Sequence, residues 1–152
     1  MSKISDGDLL KKHLENLNKS VERLLYSYNV CNGIDVKCGQ KTEEYWEHYE
    51  ALTARYGRSV DILVNNVLRY IDIVEYIQPG SVIDITNRAE KRGFVDTPQE
   101  LRILKDLRND IVHSYDSDEY EEVFENSLKF IPDLLEIVNK VNEYCDRILR
   151  GV

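Results

Sequence analysis

The sequence predicts an all-α fold, an antiparallel bundle of four to five helices. Three observations carry it: apolar residues recur at steps of three and four along most of the chain, helix start and stop signals punctuate that pattern, and no stretch alternates as a strand would. Leu10, Leu14, Leu17, Val21, Leu24 and Tyr28 form the first stripe, which predicts an amphipathic helix from about Asp8 to Val30, ended by Asn32-Gly33. The segment from Cys31 to Lys41 has no period and reads as a loop. Thr42 then caps a long helix whose stripe runs through Tyr45, Tyr49, Leu52, Tyr56, Val60, Leu63, Val67, Ile71 and Val74 until Pro79-Gly80, with Gly57 placed to bend or divide it.

Ser81 is placed to cap a short helix from Val82 to about Arg92, closed by Gly93 in the left-handed conformation that favours glycine. Thr97-Pro98-Gln99-Glu100 is a capping box with proline at the first helical position, so a further helix starts there and runs to about Tyr115, facing the core with Leu101, Leu104, Leu107 and Ile111. Asp116 or Ser117 is expected to cap the last helix, which continues to about Leu149 and should kink at Pro132, where a backbone donor is missing. Without repeats or linkers, residues 1–152 read as one domain folded as an up-and-down bundle.

The apolar fraction of 42% and charged fraction of 32% lie in the globular range, which excludes wholesale disorder. No apolar run approaches the roughly 20 residues of a membrane span, and the first ten residues lack signal-peptide order, so a cytoplasmic protein without a membrane role is expected. Cys31, Cys38 and Cys145 form no CxxC pair, and His13, His48 and His113 share no metal-ligand spacing. Neither a metal nor a cofactor is expected. His13 and His48 read as surface residues amid charges. The aromatic series Tyr45, Trp46, Tyr49 and Tyr56 has the spacing of a buried stripe, although such rings can also stack bases.

The net charge of −8 opposes a nucleic-acid role, since such proteins generally present basic faces to phosphate. The local answer is a stretch in which Arg88, Lys91, Arg92, Arg102, Lys105 and Arg108 outnumber the acids; Arg102 and Lys105 are candidate phosphate contacts.

That stretch ends in Arg108-Asn109-Asp110-Ile111-Val112-His113-Ser114-Tyr115, the segment that carries the proposed chemistry. Displacement at a phosphodiester requires proton transfer and neutralisation of the charge that builds on the phosphoryl oxygens. The imidazole of His113 is the candidate for the first, and the always-charged planar fork of Arg108 for the second. Five residues at ~100° each, however, put Arg108 and His113 about 140° apart on a straight helix, whereas Arg108 and Tyr115 lie within about 20°. Either the helix unwinds near Val112, or a two-fold dimer brings two motifs together; the dimer is preferred because it doubles the positive charge at one cleft.

The string Arg-x4-His-x-Tyr, preceded by the long helix pair and by Asp84 to Gly93, resembles the HEPN superfamily and, within it, the HepT-like ribonuclease toxins of HEPN/nucleotidyltransferase (MNT) toxin-antitoxin systems. The resemblance covers roughly the C-terminal two-thirds. It implies a metal-independent endoribonuclease of a type VII-like pair, usually a homodimer, neutralised when the cognate nucleotidyltransferase antitoxin attaches AMP to the motif tyrosine. Arg108 and His113 would then be the catalytic pair, Asn109 and the adjacent Asp110 supporting polar residues, Tyr115 the modified residue and RNA the substrate. Two other readings stay open: a non-catalytic HEPN subunit that presents a substrate or nucleotide to a nucleotidyltransferase, and a bundle with no nucleotide role in which Arg108 pairs with Asp106 or the acidic start of the last helix.

Overall fold

The computed structural model describes residues 4–114 and 118–151, and every regular element in them is helical. Helix α1 is Asp6–Cys31. Helix α2 (Glu43–Asp61), a π-helical segment (Ile62–Leu68) and α3 (Arg69–Val74) follow one another without a break as a single rod. Helices α4 (Val82–Lys91), α5 (Pro98–His113) and α6 (Tyr120–Arg150) complete the bundle.

Local chemistry accounts for the helix starts. Ser5, Thr42 and Ser81 each accept a hydrogen bond from the backbone N–H three residues on, and Asp84 returns the bond to Ser81 to complete a capping box. Glu100 reaches back to the N–H of Thr97, and Pro98 occupies the first turn, where its missing donor is harmless. Helix α6 has Glu119 at its cap position and Glu121 and Glu122 in its first turn; the cap expected at Asp116 or Ser117 lies outside the described residues. Pro132 lies within this uninterrupted 31-residue helix.

Gly57 does not divide the long rod. The irregularity is the π segment, which begins five residues later, and the buried pattern explains it. Ser59, Leu63, Val67 and Ile71 are all buried at successive steps of four. On a regular helix each such step overshoots a full turn by about 40°, so three would carry the face about 120° away from the core. Wider π turns absorb the excess and keep one face inward. The rod ends at Val74 rather than at Pro79-Gly80. Ile77 N–H bonds the Asp72 carbonyl at 2.8 Å and Tyr76 N–H bonds that of Ile73 at 3.1 Å, a Schellman closure with Tyr76 at φ 60° where glycine is usual. Gly93 closes α4 in the same way at φ 83°.

Helix α1 packs along the whole rod, α5 lies between α2 and α6, and α4 covers the π segment and α5. In α1, Leu10, Leu17, Leu24 and Cys31 are fully buried at steps of seven. The small residues Ser20 and Ser27 beside them admit polar cross-links: Ser20 shares a 3.0 Å hydrogen bond with Ser59, and Arg55 donates to Ser27 at 2.7 Å. His13 is half-buried instead of lying on an exposed surface. Its ring sits 4.7 Å from that of Tyr70, and its Nδ1 is buried without a hydrogen-bond partner among the described residues.

An ion network pins the end of the rod to α4 and α6. The fully buried Asp72 receives Arg88 at 2.8 Å and Arg92 at 2.7 Å; Arg92 also reaches Glu75 at 3.0 Å, which accepts from the Tyr144 hydroxyl at 2.7 Å. Arg88 donates in addition to the Pro79 carbonyl. This corrects the reading of the basic stretch: two of its six cations neutralise interior carboxylates and are not presented to a ligand.

Candidate functional site

Arg108 lies in the third turn of α5, and its position is fixed from the neighbouring rod. Asp61, the last residue of α2, accepts from both Nε and Nη2 of Arg108 through a single oxygen, at 3.1 and 3.0 Å. The stem of the arginine crosses Gly57, where an added Cβ would lie 3.7 Å from Arg108 Cγ, an ordinary contact. Nη1 is held only loosely, by the Asn109 side chain at 3.5 Å. The guanidinium is thus anchored along one edge and retains donor capacity along the other. It lines a shallow groove together with Ala54, Gly57, Arg58, Asp61 and Val112.

The remaining motif residues point in several directions. Asn109, Asp110 and His113 are exposed, and the His113 side chain makes no hydrogen bond or ion pair with another described residue. Ser114 is buried at the end of α5, where it donates to the Ile111 carbonyl at 3.0 Å and shares a 3.3 Å contact with the Tyr49 hydroxyl. Tyr115, the expected modification site, lies outside the described residues. Because α5 stays helical through His113, the unwinding near Val112 that would turn His113 toward Arg108 does not occur, and the two side chains of one chain project about 140° apart. Lys105 and Arg102 are half-buried about one and two turns before Arg108, with Arg102 3.4 Å from the Asn87 side chain.

The aromatic series separates into two groups. Tyr45 and Tyr56 are core residues: each hydroxyl donates to a buried carbonyl, Val36 at 2.8 Å and Leu104 at 2.9 Å, and burial pushes both phenols above their ordinary pKa. Trp46 and Tyr49 are only half-buried, and with Tyr120 of α6 they border a cavity of about 460 Å³. Thr53, Ala54 and Ile111 line both this cavity and the Arg108 groove, so the two adjoin.

Two contributors to this region carried no readable signal in the sequence. Asp61 is 47 positions from Arg108, beyond any helical spacing, and Tyr120 belongs to a helix whose start is marked only by acids. No group of three or more histidine, cysteine, aspartate or glutamate side chains among the described residues is arranged to hold a metal ion, and no described helix is long and apolar enough to cross a membrane. No protein-family model, curated protein or solved structure matches this chain.

Proposed function

We propose that the chain is a cytoplasmic, HEPN-type endoribonuclease that acts as a homodimer and is neutralised by AMP transfer to Tyr115 from a partner nucleotidyltransferase. One observation supports it above the others: Arg108 is clamped along one edge by Asp61 with its other edge unsaturated, on the same helix that presents His113 to solvent. In the reaction, His113 takes the proton from the RNA 2′-hydroxyl, the oxygen attacks the adjacent phosphorus, and the bond to the 5′-oxygen breaks as that oxygen takes a proton from water. The products are a 2′,3′-cyclic phosphate and a 5′-hydroxyl. Arg108 compensates the charge on the phosphorane with paired N–H donors, the role a metal ion would otherwise take. With the two groups about 140° apart on one helix, the Arg108 of one chain works with the His113 of its partner across a two-fold axis.

The test is cleavage of single-stranded RNA by protein purified without its antitoxin, in EDTA, beside the Arg108→Ala and His113→Ala variants. Wild-type cleavage lost in both variants is expected; intact RNA with the wild type, or cleavage unchanged in the variants, ends the proposal.

The second reading, a non-catalytic subunit that presents a nucleotide or substrate to a nucleotidyltransferase, is favoured by the net charge of −8 together with the withdrawal of Arg88 and Arg92 into the interior. Toxicity on expression alone, lost with His113→Ala, belongs to the first reading only.

A further inference from the structure

Protein interiors close over apolar space, so an open hollow walled by half-exposed aromatic rings calls for an occupant. The rings here are mutually supported: Trp46 and Tyr120 have centroids 4.8 Å apart, Trp46 and Tyr49 6.0 Å, and Tyr49 and Tyr120 6.3 Å. The first two come from α2 and the third from α6, so the walls are rigid helices. At about 460 Å³ the hollow is within the range of small-ligand sites, which runs from about 300 to 1,000 Å³, and large enough for a nucleoside. Its described lining includes no cation, and the one acidic residue is the exposed Glu50, so a phosphate has no partner inside it. Two cations are next door, Arg108 and the exposed Arg58, in the groove that shares Thr53, Ala54 and Ile111 with the hollow, and Arg108 is the one held in place by Asp61.

We infer that this hollow is a nucleobase subsite: it takes a purine of the RNA strand, stacked against Tyr120 and Trp46, while Arg108 holds an adjoining phosphate. The Thr53 hydroxyl donates its proton to the Tyr49 carbonyl at 2.8 Å, and Glu50 is the one carboxylate in the described lining, an acceptor for an exocyclic amine. Amine-bearing purines are therefore preferred over uracil. The inference rests on the ribonuclease reading for the identity of its ligand, and extends it by giving the enzyme a base preference beside the cleaved bond.

Trp46 is the chain's single tryptophan, so its fluorescence reports the hollow directly. Full-length protein is titrated with adenosine monophosphate, uridine monophosphate, ribose 5-phosphate, and a 2′-O-methyl oligoadenylate that cannot be cut because the attacking hydroxyl is blocked. Adenosine monophosphate and the oligoadenylate should quench Trp46, ribose 5-phosphate should not, and uridine monophosphate should bind more weakly. Tyr120→Leu should weaken adenylate binding about ten-fold or more, as loss of a base-stacking ring does, whereas Tyr120→Phe keeps it. Glu50→Gln, at an exposed position that tolerates change, should narrow the gap between adenylate and uridylate even if Tyr120→Leu proves unstable. Fluorescence unchanged by adenylate, or quenched equally by ribose 5-phosphate, overturns the subsite. Quenching without RNA cleavage keeps the subsite and removes the nuclease. Cleavage without quenching, with the same cut sites in Glu50→Gln, keeps the nuclease and removes the subsite.

Discussion

Asp61 and Arg108 stand 47 positions apart in the chain, yet one carboxylate oxygen of Asp61 accepts two hydrogen bonds from the Arg108 guanidinium, at 3.1 and 3.0 Å. The pair joins the end of α2, where the π segment begins, to α5. With both side chains about one-third exposed, solvent screening limits its stabilising effect, so its consequence is orientation.

Asp61→Asn tests that division. Unfolding in denaturant should change by no more than about 1 kcal/mol, the range of exposed ion pairs. Cleavage of RNA should fall by about ten-fold or more, because an unanchored arginine presents its donors in many orientations. A large loss of stability, or full activity, contradicts the orienting role.

Mixing Arg108→Ala and His113→Ala proteins tests whether the site is shared between chains. Random reassortment makes half of the dimers mixed, and each mixed dimer has one intact composite site of two, so about a quarter of wild-type cleavage should return. Each variant alone should be inactive. If the mixture is also inactive while native mass spectrometry shows mixed dimers, the two residues do not cooperate across the interface.

The buried carboxylate Asp72 carries the largest stability prediction. Asp72→Ala leaves Arg88 and Arg92 without their main partner in a region where Arg92 is only 9% exposed, and unfolding free energy should drop by about 3–5 kcal/mol. Equilibrium denaturation measures it. A loss below about 1 kcal/mol places those arginines in solvent and contradicts the network.

Two buried thiols predict an alkaline limit. Burial raises Cys31 from 9.0 to about 11 and Cys145 from 9.0 to about 12. Above pH 9 the unfolded chain loses these protons while the folded chain keeps them, so stability is complete below that pH and declines as pH rises toward 11 and 12. The denaturant midpoint should be lower on the alkaline side of that window than on the other, and Cys31→Ala should lessen the difference. A thiol reagent at mildly alkaline pH should label the half-exposed Cys38 well before the other two.

His13 produces an acid-side counterpart. Desolvation, and secondarily Lys12, holds its pKa below 6.5, so the unfolded chain takes up a proton first as pH falls. Its contribution to stability is present above 6.5 and is lost below it. His13→Phe, which keeps a ring against Tyr70 and removes the unpartnered Nδ1, should flatten the fall of stability as pH drops below 6.5. An unchanged profile in the variant places the acid sensitivity elsewhere.

Local determinants were legible because they act over a few residues. Thr42, Ser81 and the Thr97-Pro98-Glu100 box start helices where expected, and Gly93 takes its left-handed turn, since each is chemistry within one turn of backbone. The π segment was not legible as such. Its steps of four were visible, but they are compatible with a bent helix or a broken one until packing against α1 and α4 requires one continuous inward face. Arg88 and Arg92 look like surface cations because composition counts charge without knowing that Asp72 and Glu75 lie beneath them.

The string from Arg108 to Tyr115 divides along the same line. The sequence by itself determined that α5 exists, where it starts, and that Arg108 and His113 cannot share a face of it, because 3.6 residues per turn fixes their angular separation. Only the tertiary structure decided that Asp61 holds the arginine, that Ser114 is buried against Tyr49, and that Trp46 and Tyr49 border a cavity while Tyr45 and Tyr56 fill the core. Helical periodicity sets which residues share a face; which face meets which neighbour depends on how α2, α5 and α6 pack, and that is set by contacts far apart in the chain.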